Sequence, residues 1–336
     1  MSCADRLTCL SATDEDAAVP GTLPGTVVLL ATYNGVEFLA DQLNSLRQQD
    51  DPDWVLVVRD DLSTDGTPAL LDAFAATCLP GQVLRIAEGP VRLGALGNFL
   101  TLLKAAPAAR RYAFCDQDDV WLPDKLTRAA RLMDCETQER PVLYCARQRI
   151  VDDALHERSL SPPLARPPSL RNAMVQNIAT GCTIVMNEAA RLAILATPAP
   201  TVTLHDWWSY LVTTAVGGRV LVDPEPVIMY RQHAANVVGA APGIIGRARR
   251  AARRGPDHFM ILFMAHTKAL LLHPGITTDS RRLLLELLAL PQAGRLARIV
   301  MLRRAGLYRQ GMLEQLALYA WVTLWHPSEE DRAVHG

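Results

Sequence analysis

YAFCDQDDVW, residues 112–121, runs four apolar residues straight into three carboxylates, Asp116, Asp118 and Asp119. A short apolar run closed by polar residues reads as a buried strand, and the acids fall where that strand ends. Two carboxylates about 4 Å apart repel by roughly 4 kcal/mol at an effective dielectric near 20, so such a cluster needs full solvation or a bound cation. Asp116 and Asp118 stand on alternate positions of an extended segment and point the same way. Hard divalent ions such as Mg2+ and Mn2+ take carboxylate oxygens and complete their shell with phosphates and water. The plain structural use of such acids is capping: Asp119 or Asp124 would serve a helix expected over Lys125–Met133.

Working outward, the same strand-then-helix alternation repeats. Val27–Leu30 is a continuous apolar run that TYNG turns into a helix over Val36–Gln48. Trp54–Val58 is a second strand, closed by RDDLSTDGT before a helix over Pro68–Thr77, and strand Val83–Ala87, helix Gly97–Ala106 and strand Tyr112–Cys115 follow. This spacing predicts an α/β fold with a doubly wound, mostly parallel central sheet. Ligands bind such sheets beyond the carboxyl ends of the strands, where TYNG, RDD and DQDD all fall. Further on, Leu143–Val151 reads as a strand, residues 161–168 (SPPLARPP) as a stiff loop and Gly181–Met186 as another strand. From Gly243 the chain turns into Arg-, Ala- and Leu-rich helix. The expected organisation is a loose polar tail over 1–25, an α/β domain over 26–241 and a helical region over 242–336.

With 336 residues, 49% of them hydrophobic, the chain can bury a sizeable core. Lys and Arg (34) balance Asp and Glu (35), which argues against a nucleic-acid partner. The seven cysteines are odd in number, scattered and never spaced CxxC, so a reducing cytoplasm is expected. Acids at 5, 14, 15 and 16 break any apolar leader, and no run of about 20 apolar residues is present. RARRAARR (247–254) carries five arginines, and Arg295, Arg298, Arg303 and Arg304 surround Leu296, Ile299, Val300 and Leu302. Basic and apolar residues paired in this way mark helices that lie on anionic membranes, which predicts peripheral attachment to the inner face of the cytoplasmic membrane.

Three further motifs carry chemistry. RDDLSTDGT is rich in turn residues, yet an Asp fixed at a strand's end also accepts from the imide N–H of a pyrimidine, against which Tyr33 offers a ring. LHDWWSYL (204–211) sets Asp206 among bulky apolar residues, either as a helix cap or as a general base in a partly apolar cleft, with Trp207 or Trp208 giving a sugar an apolar face. YRQHAANVVG (230–239) holds His233, whose neutral imidazole suits a divalent metal.

In this order and spacing, ATYNG, RDDLSTDGT, LGALGNF, CDQDDVWLPDKL, ATGCTIVMN, HDWW and YRQHAANVVG resemble the family 2 glycosyltransferases of the GT-A fold, and most of all their bacterial rhamnosyltransferase-like branch, over roughly residues 26–240. The resemblance implies that Thr32, Tyr33, Asn34 and Asp61 hold the nucleotide with Asp60 close by, and that Gly94 and Asn98 lie near ribose and sugar. It implies that Asp118, with Asp116 or Asp119, binds the Mg2+ or Mn2+ that bridges the donor diphosphate, that His233 completes the shell, and that Asp206 is the catalytic base. Gly181, Trp207 and Trp208 would line the acceptor side. The implied reaction is an inverting, metal-dependent transfer from a nucleotide sugar, dTDP-L-rhamnose or a UDP-sugar, to a hydroxyl of a glycan or lipid-linked acceptor in surface polysaccharide biosynthesis. The alternative is a catalytically silent subunit of the same fold, against which the joint presence of Asp116, Asp118, Asp119, Asp206 and His233 speaks. A nucleotidyltransferase would want a Gly- and Arg-rich phosphate loop after the first strand, and TYNG is not one. Leu62 stands where the family often has Gly.

Overall fold

A computed structural model describes residues 23–232 and 243–327 of the protein. The tail expected over 1–25 lies almost wholly outside these residues, as do His233 and the expected boundary at 241. In chain order the first half comprises β1 (Thr26–Thr32), α1 (Leu39–Arg47), β2 (Trp54–Asp60), α2 (Thr67–Ala75), β3 (Val83–Arg85), α3 (Gly94–Ala105), β4 (Arg111–Cys115), β5 (Val120–Trp121) and α4 (Lys125–Met133). There follow β6 (Val142–Val151), β7 (Glu157–Leu160), α5 (Leu170–Ala173), β8 (Val185–Asn187), α6 (Glu188–Leu195), α7 (His205–Ala215) and β9 (Arg219–Arg231). Four helices close the chain: α8 (Gly243–Leu271), α9 (Thr278–Leu288), α10 (Arg295–Arg304) and α11 (Met312–Leu324).

The strands form one sheet in the order β3-β2-β1-β4-β8-β6-β9-β5, with β7 also on β6. From β3 to β4 every pair is parallel. Past β4 the sheet is mixed: β8 is antiparallel to β4 and β6, while β6 and β9 run parallel. The winding reverses at β1, which lies between β2 and β4, so the carboxyl ends of these three strands open a crevice. Both faces of the sheet are covered, which is why β1 reads as an unbroken apolar run. Val27 and Leu29 enter one core with Phe99, Leu103 and Trp208, while Val28 and Leu30 enter the other with Leu43, Leu56 and Val58.

The first of these cores continues into Phe263, Met264, Leu283 and Leu318 of the C-terminal helices. These helices are thus built into the sheet's own core rather than hung on it. α8 bends at Gly255, whose φ of 72° leaves the helical region ahead of Pro256.

Local differences from the sequence reading have physical causes. Helix α1 starts at Leu39, because residues after β1 are used in a turn: Asn34 takes a φ of 46° and Val36 N–H donates to Asp65 at 3.1 Å. The stretch expected as a strand over Gly181–Met186 is a 3-10 turn over Gly181–Thr183 followed by β8. That turn passes so close to α7 that a Cβ on Gly181 would meet His205 Nε2 at 2.6 Å. Strand β9 contains Pro224 and Pro226, residues that argue against a strand in sequence. Its register against β6 steps from Ala146↔Asp223 to Arg147↔Pro226, so a bulge absorbs Pro224 and Glu225.

Candidate active site

The crevice is built from three strand ends. At the end of β1, Thr32 is buried and donates its hydroxyl to Asp60 at 2.7 Å, and Asp60 also accepts from Ser63 N–H and Ser63 Oγ, both at 2.7 Å. Asn34 clasps the same loop, its N–H donating to Ser63 Oγ at 2.8 Å and its Oδ1 accepting from Thr64 N–H at 2.9 Å. Leu62, just before Ser63 in that loop, is held at a φ of 66°, a left-handed conformation that glycine adopts without strain. Glycine at this position would relieve that conformation.

Asp61 is a joint rather than an open acceptor. Its carboxylate takes the Arg59 guanidinium at 2.9 Å and the N–H groups of Leu93 and Gly94 at 2.9 and 2.8 Å. Burial alone would raise this carboxyl, but the hydrogen bonds from Leu93, Arg59 and Gly94 outweigh it and hold Asp61 below the ordinary Asp range. Gly94, at a φ of 67°, brings its backbone in to open α3 at this point. Asn98, one turn on, is buried and pairs reciprocally with Arg59, accepting at 3.0 Å and donating to its carbonyl at 3.1 Å. Arg59, Asp61, Gly94 and Asn98 therefore act as one unit that fixes the β2–α3 side of the crevice.

Tyr33 is tied to the acidic loop after β4. Gln117 accepts from Tyr33 N–H at 2.8 Å and donates to Tyr33 O at 2.9 Å, as a strand neighbour would. Gly35 makes room for this amide, since a Cβ there would meet Gln117 Oε1 at 2.3 Å. The two motifs at the crevice thus share one hinge pin.

The acidic loop itself places one oxygen of Asp116, one of Asp119 and the Cys182 sulfur within 4.8 Å of one another. Burial, and after it the charges of Asp118, Asp119 and Asp206, push Asp116 well above the ordinary Asp value. Burial and Asp118 likewise push Asp119 up to about 7. Asp119 Oδ1 accepts from Arg231 N–H at 3.1 Å, while its buried Oδ2 has no oxygen or nitrogen partner. Carboxylates raised by burial and by mutual repulsion, with the Cys182 thiol beside them, fit a divalent cation, whose charge offsets the repulsion. Asp118 sits partly exposed between them. His233, expected as a further ligand, lies outside the described residues.

Behind the loop, Lys125 is fully buried with its ammonium 3.4 Å from the Trp121 ring centre and donating to Cys182 O. Burial lowers it to about 8, although Cys182, Cys115 and the two acids pull the other way. Arg231, also buried, donates to Asp118 O at 3.0 Å and to Asp41 at 2.9 Å, fastening the end of β9 to the loop and to α1.

Asp206 enters from the first turn of α7. It accepts from Trp207 N–H at 2.6 Å and from Gly181 N–H at 3.2 Å, and burial raises it to about 6 against these bonds and one from Asn177. A carboxylate with this value is mostly ionised at neutral pH yet close enough to it to take up a proton, as a general base requires. Gly181 thus meets the site through its N–H, and its missing side chain leaves space for His205. His205 is packed 3.9 Å from the Phe99 ring centre, and burial lowers it to about 3, so it stays neutral. Trp207 is half-buried, its indole N–H donating to Ala173 O at 2.6 Å. Trp208 is 0% exposed and belongs to the core, which corrects its expected place against a sugar ring.

Gln117, Lys125, Arg231 and Cys182 are contributors the sequence reading did not single out. Each lies inside a motif it quoted, and nothing but tertiary packing shows which of their atoms face the crevice.

Comparison with known proteins gives the family and the fold. The profile of glycosyl transferase family 2 matches residues 27–191. The dTDP-rhamnosyl transferase RfbG of Shigella flexneri is 27% identical over 229 residues, 63% of this chain and 74% of that protein. The putative teichuronic acid biosynthesis glycosyltransferase TuaG of Bacillus subtilis is 31% identical over 112 residues, 33% of this chain and 42% of TuaG, so the match spans less than half of that relative. Among solved structures, S. aureus TarS 1–349 in complex with UDP-GlcNAc superposes with a TM-score of 0.57 at 17% identity, covering 78% of this chain and 70% of TarS 1–349, a likeness of fold.

Proposed function

The chain is a glycosyltransferase whose residues 27–191 belong to glycosyl transferase family 2, and from that premise we propose that it transfers a sugar from a nucleotide-sugar donor to an acceptor hydroxyl with inversion. The observation that carries this reading is the meeting of two carboxylate sets: the acidic loop after β4 and Asp206, whose charge reaches Asp116. Tyr33 and the Thr32–Asp60–Asp61 unit border the place for the nucleotide, with Gly94 and Asn98 holding its β2–α3 wall. Asp116, Asp118 and Asp119 would hold the divalent metal, Mg2+ or Mn2+, with Cys182 beside them. The ion's chemistry when bound is to neutralise the negative charge gathering on the departing diphosphate. Asp206 takes the proton from the attacking hydroxyl, so one displacement inverts the anomeric centre and no enzyme-bound intermediate is needed. Gly181 and Trp207 fix the orientation of that carboxylate and border the acceptor side.

The RfbG match supports dTDP-L-rhamnose as the first donor to try, with UDP-sugars next, and the TuaG match, to a relative named for teichuronic acid biosynthesis, supports a glycan or lipid-linked acceptor in surface polysaccharide assembly. Attachment to an anionic membrane is part of the proposal. Among the described residues no helix is long and apolar enough to cross a membrane. Yet α11 leaves Met312 (78%), Leu313 (64%), Leu316 (55%) and Leu324 (57%) exposed, and α10 exposes Leu296 (76%) beside Arg295, Arg303 and Arg304. Patches of this kind mark interaction surfaces.

The direct test is nucleotide release by the purified protein across a panel of sugar nucleotides with glycan and lipid-linked acceptors. Release from dTDP-rhamnose or a UDP-sugar, abolished in Asp206→Asn, is expected. No release from any donor would remove the reading.

A further inference from the structure

We propose that Arg92, whose guanidinium covers the Tyr33 ring, is a donor-binding residue that gives way to the base and pairs with the diphosphate when the donor binds. The Arg92 guanidinium lies 3.4 Å from the centre of the Tyr33 ring. A nucleobase stacked on that face would need the same space. The ring is a fixed platform, because Gln117 holds the Tyr33 main chain through both its N–H and its carbonyl. Arg92 is exposed, and no described carboxylate lies within ion-pair distance of it, so its charge is not committed elsewhere. A solvent-exposed guanidinium lying over a half-buried ring is held weakly and is easily displaced.

What keeps Arg92 at the crevice once displaced is its backbone. The next two residues donate their N–H groups to Asp61 at 2.9 and 2.8 Å, which anchors the loop at the rim. The guanidinium can turn away from the ring but stays beside it. The ligand chemistry that rewards this arrangement is an aromatic base joined to two phosphates. A planar fork of N–H donors matches phosphate oxygens in pairs, and a fixed positive charge favours the diphosphate over the bare nucleoside.

This inference rests on the nucleotide-sugar reading, and one set of titrations separates the two. The full-length protein and its Arg92→Ala and Arg92→Lys variants are titrated by calorimetry with uridine, UMP and UDP, and with thymidine, dTMP and dTDP, with and without Mg2+. Arg92→Ala should reduce the preference for diphosphate over nucleoside at least tenfold, by weakening the diphosphate while nucleoside binding holds or tightens as the cover is lost. Arg92→Lys should keep part of that preference. If the ratio is unchanged, because both affinities fall together or neither moves, Arg92 is not a phosphate ligand and the inference is overturned. If the wild type binds no uracil or thymine nucleotide at all, the nucleotide-sugar reading fails first.

Discussion

Asp206 is the side chain on whose ionisation the proposed reaction turns. Burial disfavours its charged form, so its titration is displaced upward to about 6, and the base is lost as pH falls through that value. The expected outcome is a kcat that declines tenfold per pH unit below about 6, a limb absent from donor affinity measured over the same range. Asp206→Asn should lower kcat by orders of magnitude while leaving donor affinity nearly intact, because the lost interaction belongs to the transition state. Near-normal turnover in that variant would reduce HDWW to a helix start beside a core. Asp118→Asn should abolish most activity with an unchanged melting temperature, and EDTA should reproduce the loss in the wild type; full activity in metal-free buffer would sink the cation assignment. Leu62, held at a φ of 66°, gives a test in the opposite direction. Leu62→Gly relieves a left-handed strain of about 1–2 kcal/mol against a comparable gain in unfolded-chain freedom, so urea midpoints should stay the same or rise slightly.

Among elements, the informative contact joins the turn after β1 to the loop after β4. Gln117 copies a strand's hydrogen bonds across that gap, and Gly35 is the residue that lets it in. A methyl group at 35 would sit 2.3 Å from Gln117 Oε1, so Gly35→Ala must push the amide out and release Tyr33. Donor affinity should fall about tenfold, equivalent to about 1.4 kcal/mol, with the circular dichroism spectrum preserved. Unchanged affinity would mean the clasp has no part in binding. The Gly at 35 and the polar residue between Asp116 and Asp118 were both visible in sequence, but as turn punctuation and as a spacer. The Tyr33–Gln117 clasp that Gly35 admits spans 84 positions and follows only from β1 and β4 being neighbours.

At the scale of the whole molecule, the C-terminal helices share the sheet's core, and their outer side is apolar and basic. Each Arg near an anionic surface contributes about 1 kcal/mol, so Arg295, Arg303 and Arg304 with the α11 leucines give reversible, salt-sensitive attachment. The protein should cosediment with anionic vesicles at low salt and be released at high salt, and Leu313→Glu with Leu316→Glu should abolish binding while transferase activity on a soluble acceptor persists. Equal binding to neutral and anionic vesicles, or none to either, would remove the basis for a peripheral enzyme. Deleting the C-terminal helices would open the core itself, since Phe263, Met264 and Leu283 pack in the same core as Trp208. The amino-acid sequence alone determined the parallel half of the sheet, through apolar runs closed by turns, and the placing of TYNG, RDD, DQDD and HDWW as polar motifs among them, because hydrophobic period and turn chemistry are local properties. It could not decide that β9 carries two prolines through a bulge, that Trp208 is core while the Trp207 indole is held by Ala173 O, or that Gln117, Cys182, Lys125 and Arg231 surround the acidic loop. Those facts depend on which strands become neighbours and how closely their side chains approach, and these are settled only when long-range packing selects one register from many that the local pattern permits.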